Sequence, residues 1–286
     1  MQKIDMHIHA APAPIYKDGR VIVSDAESMV QHMDALGIKT AVLMSVGESP
    51  ATLGYNEGNR MICQKHPTRF RWMCNVDLCA PELVYDKLKR CKEQGAIGIG
   101  ELTHNLPIDA PFIEAIFSAA EKLSLPVTFH MSPKVGFNYG IVDAPGLPGL
   151  ERALQKFPGV KFLGHSQVFW IEISADAPTD DKGRNSWGKG PVLPGGRVVA
   201  LFEKYPNLYG DLSANSAGRA IMRDEAFGLW FLHRFADRLF FATDMLNTAS
   251  VMPLAGWLEE KRQEGALSEK AYEKIICGNA RSCFLL

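Results

Sequence analysis

Eight short apolar runs punctuate the chain: Lys3–His9, Thr40–Val46, Phe70–Val76, Ala96–Gly100, Val127–Met131, Val160–Gly164, Leu208–Leu212 and Leu239–Ala242. Each has the length and near-continuous hydrophobicity of a strand buried in a parallel sheet. Between them apolar positions recur at helical spacing, as in Ala26, Met29, Val30, Met33 and Leu36, or Phe112, Ile113, Ile116, Phe117, Ala120 and Leu123. Strand and helix alternate, which predicts an α/β protein with a parallel sheet, and eight such units close a (β/α)8 TIM barrel.

Local signals punctuate the helices. Ser24-Asp25-Ala26-Glu27 is a capping-box pattern, and Gly37 suits the end of the helix it starts. Three helices are expected to end alike, at Lys65-His66-Pro67, Lys156-Phe157-Pro158 and Lys204-Tyr205-Pro206, where a cation suits the C-terminus and proline stops the helix. One connection breaks the rhythm. Ser166 to Gly196 is 31 residues rich in Gly, Pro and Asp, a long loop after strand 6 on the catalytic face.

The length of 286 residues is within the range in which α/β barrels fold as one unit, so residues 1–286 are expected to form a single domain. With 31 basic against 32 acidic residues and no long run of either sign, no nucleic acid or anionic membrane is expected as partner; a small molecule is. The six cysteines form no C-x-x-C pair and suggest reduced thiols. The chain opens at Met1 without a signal-peptide pattern and has no apolar stretch of 18 residues, from which a cytoplasmic location is expected.

Chemistry is expected at the C-terminal ends of the barrel strands. His7 and His9 stand two apart on strand 1 and so face the same side. Glu101 closes strand 4, His130 strand 5 and His165 strand 6, while strand 8 runs into Asp244. His7, His9, His130 and Asp244 make a nitrogen and oxygen set suited to zinc, with room for a bound water whose pKa zinc lowers to roughly 7. Asp244 can accept that water's proton, and His165 can act as general acid or base. Glu101 is open between bridging two metals, touching substrate and capping the next helix.

The order and spacing of these residues resemble the amidohydrolase superfamily, in its branch of metal-dependent barrels that includes aminocarboxymuconate-semialdehyde decarboxylase. The resemblance covers nearly the whole chain. It rests on Asp5-Met6-His7-Ile8-His9, Phe129-His130, Gly164-His165, Phe241-Ala242-Thr243-Asp244 and Gly278-Asn279-Ala280-Arg281. It implies a (β/α)8 barrel with zinc on His7, His9, His130 and Asp244 and a catalytic His165. Members hydrolyse amides, esters or lactones, and some decarboxylate or hydrate. The carboxylated lysine that bridges two metals in some members belongs on strand 4, where this chain has Glu101, so one metal is expected, or two if Glu101 bridges.

Substrate contacts are expected from the long loop, through Trp170 and Arg184, and from Asp211 and Asn215 after strand 7. Tyr16, Lys17, Lys134 and Asn138 are further candidates, and His104 lies near Glu101. The leading expectation is a metal-dependent hydrolase of a small carboxylated amide, ester or lactone. The alternative is a decarboxylase or hydratase using the same residues, and a third reading is a metal-binding barrel without catalysis. A homodimer would suit a barrel of this resemblance.

Overall fold

The computed structural model describes residues 2–284; Met1, where the N-terminal reading begins, and the last two positions of the 1–286 span lie outside the described residues. The sheet is built from β1 (Lys3–Ile8), β2 (Ile38–Leu43), β3 (Phe70–Trp72), β4 (Ile99–Leu102), β5 (Val127–Phe129), β6 (Phe162–Gly164), β7 (Leu208–Asp211) and β8 (Leu239–Phe240). Neighbours in sequence are neighbours in space: β1 to β3 form one parallel ladder and β4 to β8 another. Two parallel bridges close the seams, Cys74 with Ile99 and Ile8 with Met245. At the second seam Met6 N–H donates to Phe241 O at 3.0 Å and Asp244 N–H to His7 O at 2.7 Å. The result is the expected (β/α)8 barrel.

Several bounds differ from the apolar runs, and the barrel's stagger explains one of them. The fourth run, Ala96–Gly100, meets β3 through Ile97 N–H to Trp72 O, whereas pairing with β5 carries β4 on to Leu102. A tilted strand meets its two neighbours at different residues. The fifth run is interrupted at His130; Met131–Ser132 pairs separately with Ile141–Val142.

Helix ends follow local chemistry closely. The helices Asn56–Lys65, Pro148–Lys156 and Arg197–Lys204 all stop at the lysine before the expected proline signal. The first helix, Ala26–Ala35, is capped one residue later than the capping box predicts: Asp25 accepts the Ser28 amide at 3.0 Å, and Glu27 instead pairs with Lys65. Leu36, expected on its buried face, is partly exposed because the helix has ended. In Pro111–Leu123 every expected apolar position is buried. Full burial of a ring such as Phe117 stabilises the fold by about 1.5–3 kcal/mol over leaving it in water.

Two departures shape the mouth. Before the first helix, Ile15–Lys17 and Arg20–Val23 form a hairpin turning at Asp18 and Gly19, both with positive φ, which carries Tyr16 and Lys17 out into solvent. The long connection after β6 is folded: its short helix Gln167–Ile171 packs against Met131–Ser132, the helix Ala214–Met222 and a second short helix, Asp181–Arg184. No helix among the described residues is long and apolar enough to cross a membrane.

Candidate metal centre

Asp5, His7 and His9 alternate along and beyond β1, so all three side chains fall on one side of the strand. The Asp5 carboxylate accepts the His7 and Thr243 amides at 3.1 and 3.0 Å and the Thr243 hydroxyl at 2.7 Å. It thereby ties β1 to the segment carrying Asp244. Burial pushes the Asp5 carboxyl up to about 7, although these bonds favour the charged form. Sequence reasoning gave Asp5 no role, yet a signal was present: an acid in register with two histidines on an otherwise apolar strand.

Both histidines are held from behind. His7 Nδ1 lies 2.6 Å from Asp211 Oδ2, and His9 Nδ1 lies 2.6 Å from the Leu53 carbonyl. Each partner accepts an Nδ1 proton and leaves Nε2 free as a ligand, which is how metal-binding imidazoles are commonly oriented. The two Nε2 atoms are 3.3 Å apart. Asp244 Oδ1 is 3.5 Å from His7 Nε2 and 3.2 Å from His9 Nε2, and Glu101 Oε2 is 3.8 Å from both. Ligands about 2.0–2.2 Å from an ion in a tetrahedral arrangement stand about 3.3–3.6 Å from one another. His7, His9 and Asp244 therefore stand at about the spacing of ligands to one metal ion, with Glu101 slightly wider of it.

Charge points the same way. Burial alone would push the His7 imidazolium down, but Asp211, Asp244 and Glu101 together hold it up to about 10. Burial opposes the charge on Glu101, but His130, His7 and His165 hold its carboxyl well below the usual range. Asp244 is likewise held down by His7, His9 and His165 against its burial. These carboxylates attract positive charge, a proton or a metal ion.

His165 faces this group from the end of β6. Ser213 Oγ sits 2.8 Å from its Nδ1, while its Nε2 is 3.6 Å from Glu101 and 3.8 Å from Asp244. Burial and His7 push its imidazolium down.

The structure redistributes several expected roles. His7, His9 and Asp244 come together, and so do His7, Glu101 and His165, as groups that could hold a metal ion. His130 lies outside both groups; its Nδ1 is engaged by Glu101 Oε1 at 2.6 Å. Glu101 does not cap the next helix, since its side chain points to the histidines and Asn75 Nδ2 holds its carbonyl at 2.7 Å. Asp211, expected to face substrate, is buried against His7. Trp170 is also buried rather than at the mouth, its indole N–H donating to the Asp211 carbonyl at 3.2 Å. Arg184 is buried too: its Nη1 donates to the Pro133 and Asp143 carbonyls at 3.1 and 2.9 Å, tying the long connection to the loop after β5. Asn215 lines a side cavity of about 260 Å³ with Arg219 and Arg223. His104 packs on Phe112 with ring centroids 4.9 Å apart. Tyr139, which no sequence signal singled out, has its ring centroid 4.5 Å from that of His130. Burial, with Glu101 and Asp244, pushes its phenol up to about 12.

A roomier cavity, about 490 Å³, lies on the barrel flank between the helices Ala26–Ala35 and Pro253–Gln263. Its wall is mainly apolar and contains none of the clustered ligands, so convergent chemistry rather than volume marks the functional site.

The amidohydrolase family model matches residues 4–286. The chain belongs to the amidohydrolase family. No curated protein matches this amidohydrolase, but solved structures do over its full length. An uncharacterized TIM-barrel protein from Bordetella bronchiseptica is 15% identical with a TM-score of 0.71, covering 100% of this chain and 99% of that one. A dihydroxybenzoic acid decarboxylase from Polaromonas sp. JS666, with bound manganese and the inhibitor 2-nitroresorcinol, is 20% identical with a TM-score of 0.63, covering 100% and 97%. A probable 2-pyrone-4,6-dicarboxylic acid hydrolase from Acinetobacter baumannii, with citric acid bound, is 16% identical with a TM-score of 0.60, covering 100% of both chains. At these identities the likeness establishes the shared barrel fold.

Proposed function

We propose that this amidohydrolase is a metal-dependent decarboxylase of a small carboxylic acid. The observation that carries the reading is the charge at the mouth. Glu101, Asp211 and Asp244 pair with histidines, and among the described residues no lysine or arginine pairs with any of them. A guanidinium clamped on the departing carboxylate would stabilise the substrate more than the transition state and slow its loss. None of the ion pairs of Glu101, Asp211 and Asp244 is of that kind, and the histidines in them are groups able to carry the proton that replaces the departing carboxylate.

His7, His9, Asp244 and Glu101 would hold one ion. The imidazole nitrogen His7 Nε2 belongs to both ligand groups, and its single lone pair serves one metal. The donor set suits zinc, the expectation from sequence, and equally manganese, which the Polaromonas decarboxylase contains. A divalent ion there supplies the positive charge that holds and polarises a substrate oxygen.

The chain's own residues supply the rest. In decarboxylation the bond to the carboxyl carbon breaks, its electron pair stays on the substrate carbon, and that carbon takes a proton as carbon dioxide leaves. His165 and Asp244 together hold this proton, and Ser213 keeps Nε2 of His165 turned to the centre. Asp211 and the Leu53 carbonyl keep His7 and His9 in ligand geometry. His130 orients Glu101.

The test is to incubate the metal-loaded protein with hydroxylated benzoic acids in deuterium oxide. Carbon dioxide release with one deuterium in the product supports the proposal. The second reading, hydrolysis, is favoured by the likeness to the pyrone dicarboxylic acid hydrolase. Turnover of lactones or esters with no acid decarboxylated would establish hydrolysis and overturn the first reading.

A further inference from the structure

We propose that Tyr139 is a specificity residue, the wall on which a planar ring of the substrate stacks at the entrance to the metal centre. Four rings lead from the surface inward. Tyr139 lies 4.5 Å from His130, His130 lies 5.2 Å from His165, and His165 lies 4.7 Å from His7, all between ring centroids. His130, His165 and His7 are buried, whereas Tyr139 is 50% exposed. Tyr139 is thus the outermost member, with part of its surface packed on His130 and the remainder open. Phe137 and Val135, on the same loop, are also partly exposed.

The loop is built to hold that ring still. Gly140 N–H donates to Thr103 O at 2.7 Å, Ile141 N–H to His130 O at 2.8 Å, and Asn105 Nδ2 to Gly140 O at 3.1 Å. Arg184 fixes the other end through Pro133 O, and Asn138 Nδ2 donates to Asn185 Oδ1 at 3.1 Å. Gly140 has φ of +114°, and a Cβ there would meet the Met131 carbonyl carbon at 2.8 Å and His130 Cδ2 at 2.9 Å. Only glycine lets the chain pass this close to His130, and that passage seats the neighbouring Tyr139 on the imidazole. A wall held in place beforehand loses little freedom when a ligand stacks on it. Flat aromatic rings gain from offset or edge contacts in a way that saturated rings do not.

The inference rests on the proposed function for the kind of substrate, and on the ring series for the residue. Two probes of similar size separate stacking from simple burial: salicylate, which is planar, and 2-hydroxycyclohexanecarboxylate, which is not. Their binding to the metal-loaded full chain is measured by calorimetry for wild type, Tyr139→Phe and Tyr139→Ala, with metal affinity and circular dichroism measured on each. The wild type is expected to prefer salicylate. Tyr139→Ala should weaken salicylate binding about three- to tenfold, the size of an aromatic pair, while the saturated probe and metal affinity stay unchanged. Tyr139→Phe should retain the preference.

Equal weakening of both probes, weakening of neither, or no salicylate binding by wild type would each overturn the proposal. Salicylate binding with the expected loss in Tyr139→Ala, but no carbon dioxide from any acid, would leave the wall standing and remove the decarboxylase reading. Carbon dioxide release with an unchanged KM in Tyr139→Ala would do the reverse.

Discussion

Asp211→Asn tests whether the buried carboxylate behind His7 tunes the metal centre or merely fills space. His7 is fully buried, and burial works against its charged form, yet its titration moves from 6.5 to about 10 under the pull of Asp211, Asp244 and Glu101. That net preference for positive charge is worth roughly 5 kcal/mol. Asp211 is the largest of the three attractions, and even a third of that preference is more than tenfold in affinity for a cation. Asparagine keeps one oxygen for the Nδ1 proton of His7. It then presents an NH2 to the Ser213 amide, which Asp211 Oδ1 now accepts at 3.0 Å, so the loss should exceed the charge share alone. The expected weakening of metal binding is therefore about 10- to 100-fold, within the range for partners of metal-bound histidines. His9 is the internal comparison, because the neutral Leu53 carbonyl suffices to orient it. The assay is competition of the metal-free protein against a fluorescent chelator for manganese or zinc, with circular dichroism to confirm folding. A folded Asp211→Asn protein that binds metal within twofold of wild type would refute the reasoning.

Asp5 gives a pH signature in the metal-free protein. Its carboxyl is raised from 3.8 to about 7, so the folded state binds this proton more tightly than the unfolded chain and loses stability as pH rises from about 4 through about 7. Asp5→Asn should gain relative to wild type over that window by up to about 4 kcal/mol, read from urea unfolding in chelator; parallel pH curves for the two proteins would contradict this. His165→Asn should lower kcat by at least roughly 10²-fold, the scale of a general acid–base group, with metal affinity kept; unchanged turnover would remove His165 from the chemistry. Phe117→Ala should cost about 3–5 kcal/mol in urea unfolding without a change in activity per folded molecule, and a loss below about 1 kcal/mol would show that the site collapses around the deleted ring.

The barrel was legible in the sequence because its signals are local. Buried parallel strands must be apolar along their length, and helix stops need only a lysine, a proline and the residues between, so Lys65, Lys156 and Lys204 mark their ends without knowledge of the tertiary fold. The same locality made His7 and His9 visible, since period two places them on one face of one strand, and Asp244 followed from its place after the last strand. The capping of the first helix by Asp25 instead of Ser24 marks the limit of that reading, because either residue is chemically able to cap.

What only the tertiary structure decided concerns pairs far apart in the chain. His7 and Asp211 are 204 residues apart, Asp5 and Thr243 are 238, and His130 and Glu101 are 29. Whether a carboxylate at a strand end faces substrate, a metal or the back of a histidine depends on the barrel's stagger, which no local pattern encodes. Asp211 and Glu101 were accordingly placed at the right mouth with their partners unknown, and Trp170 and Arg184 were taken from the right loop but proved to be buried in its support. Tyr139 was invisible because its place depends on a glycine turn packed against His130. The sequence by itself determined the architecture and where chemistry could sit; tertiary packing decided which carboxylate meets which histidine, because His130 meets Glu101 only through the register of β4 against β5, and Asp5 meets Thr243 only when the eighth strand returns to the first.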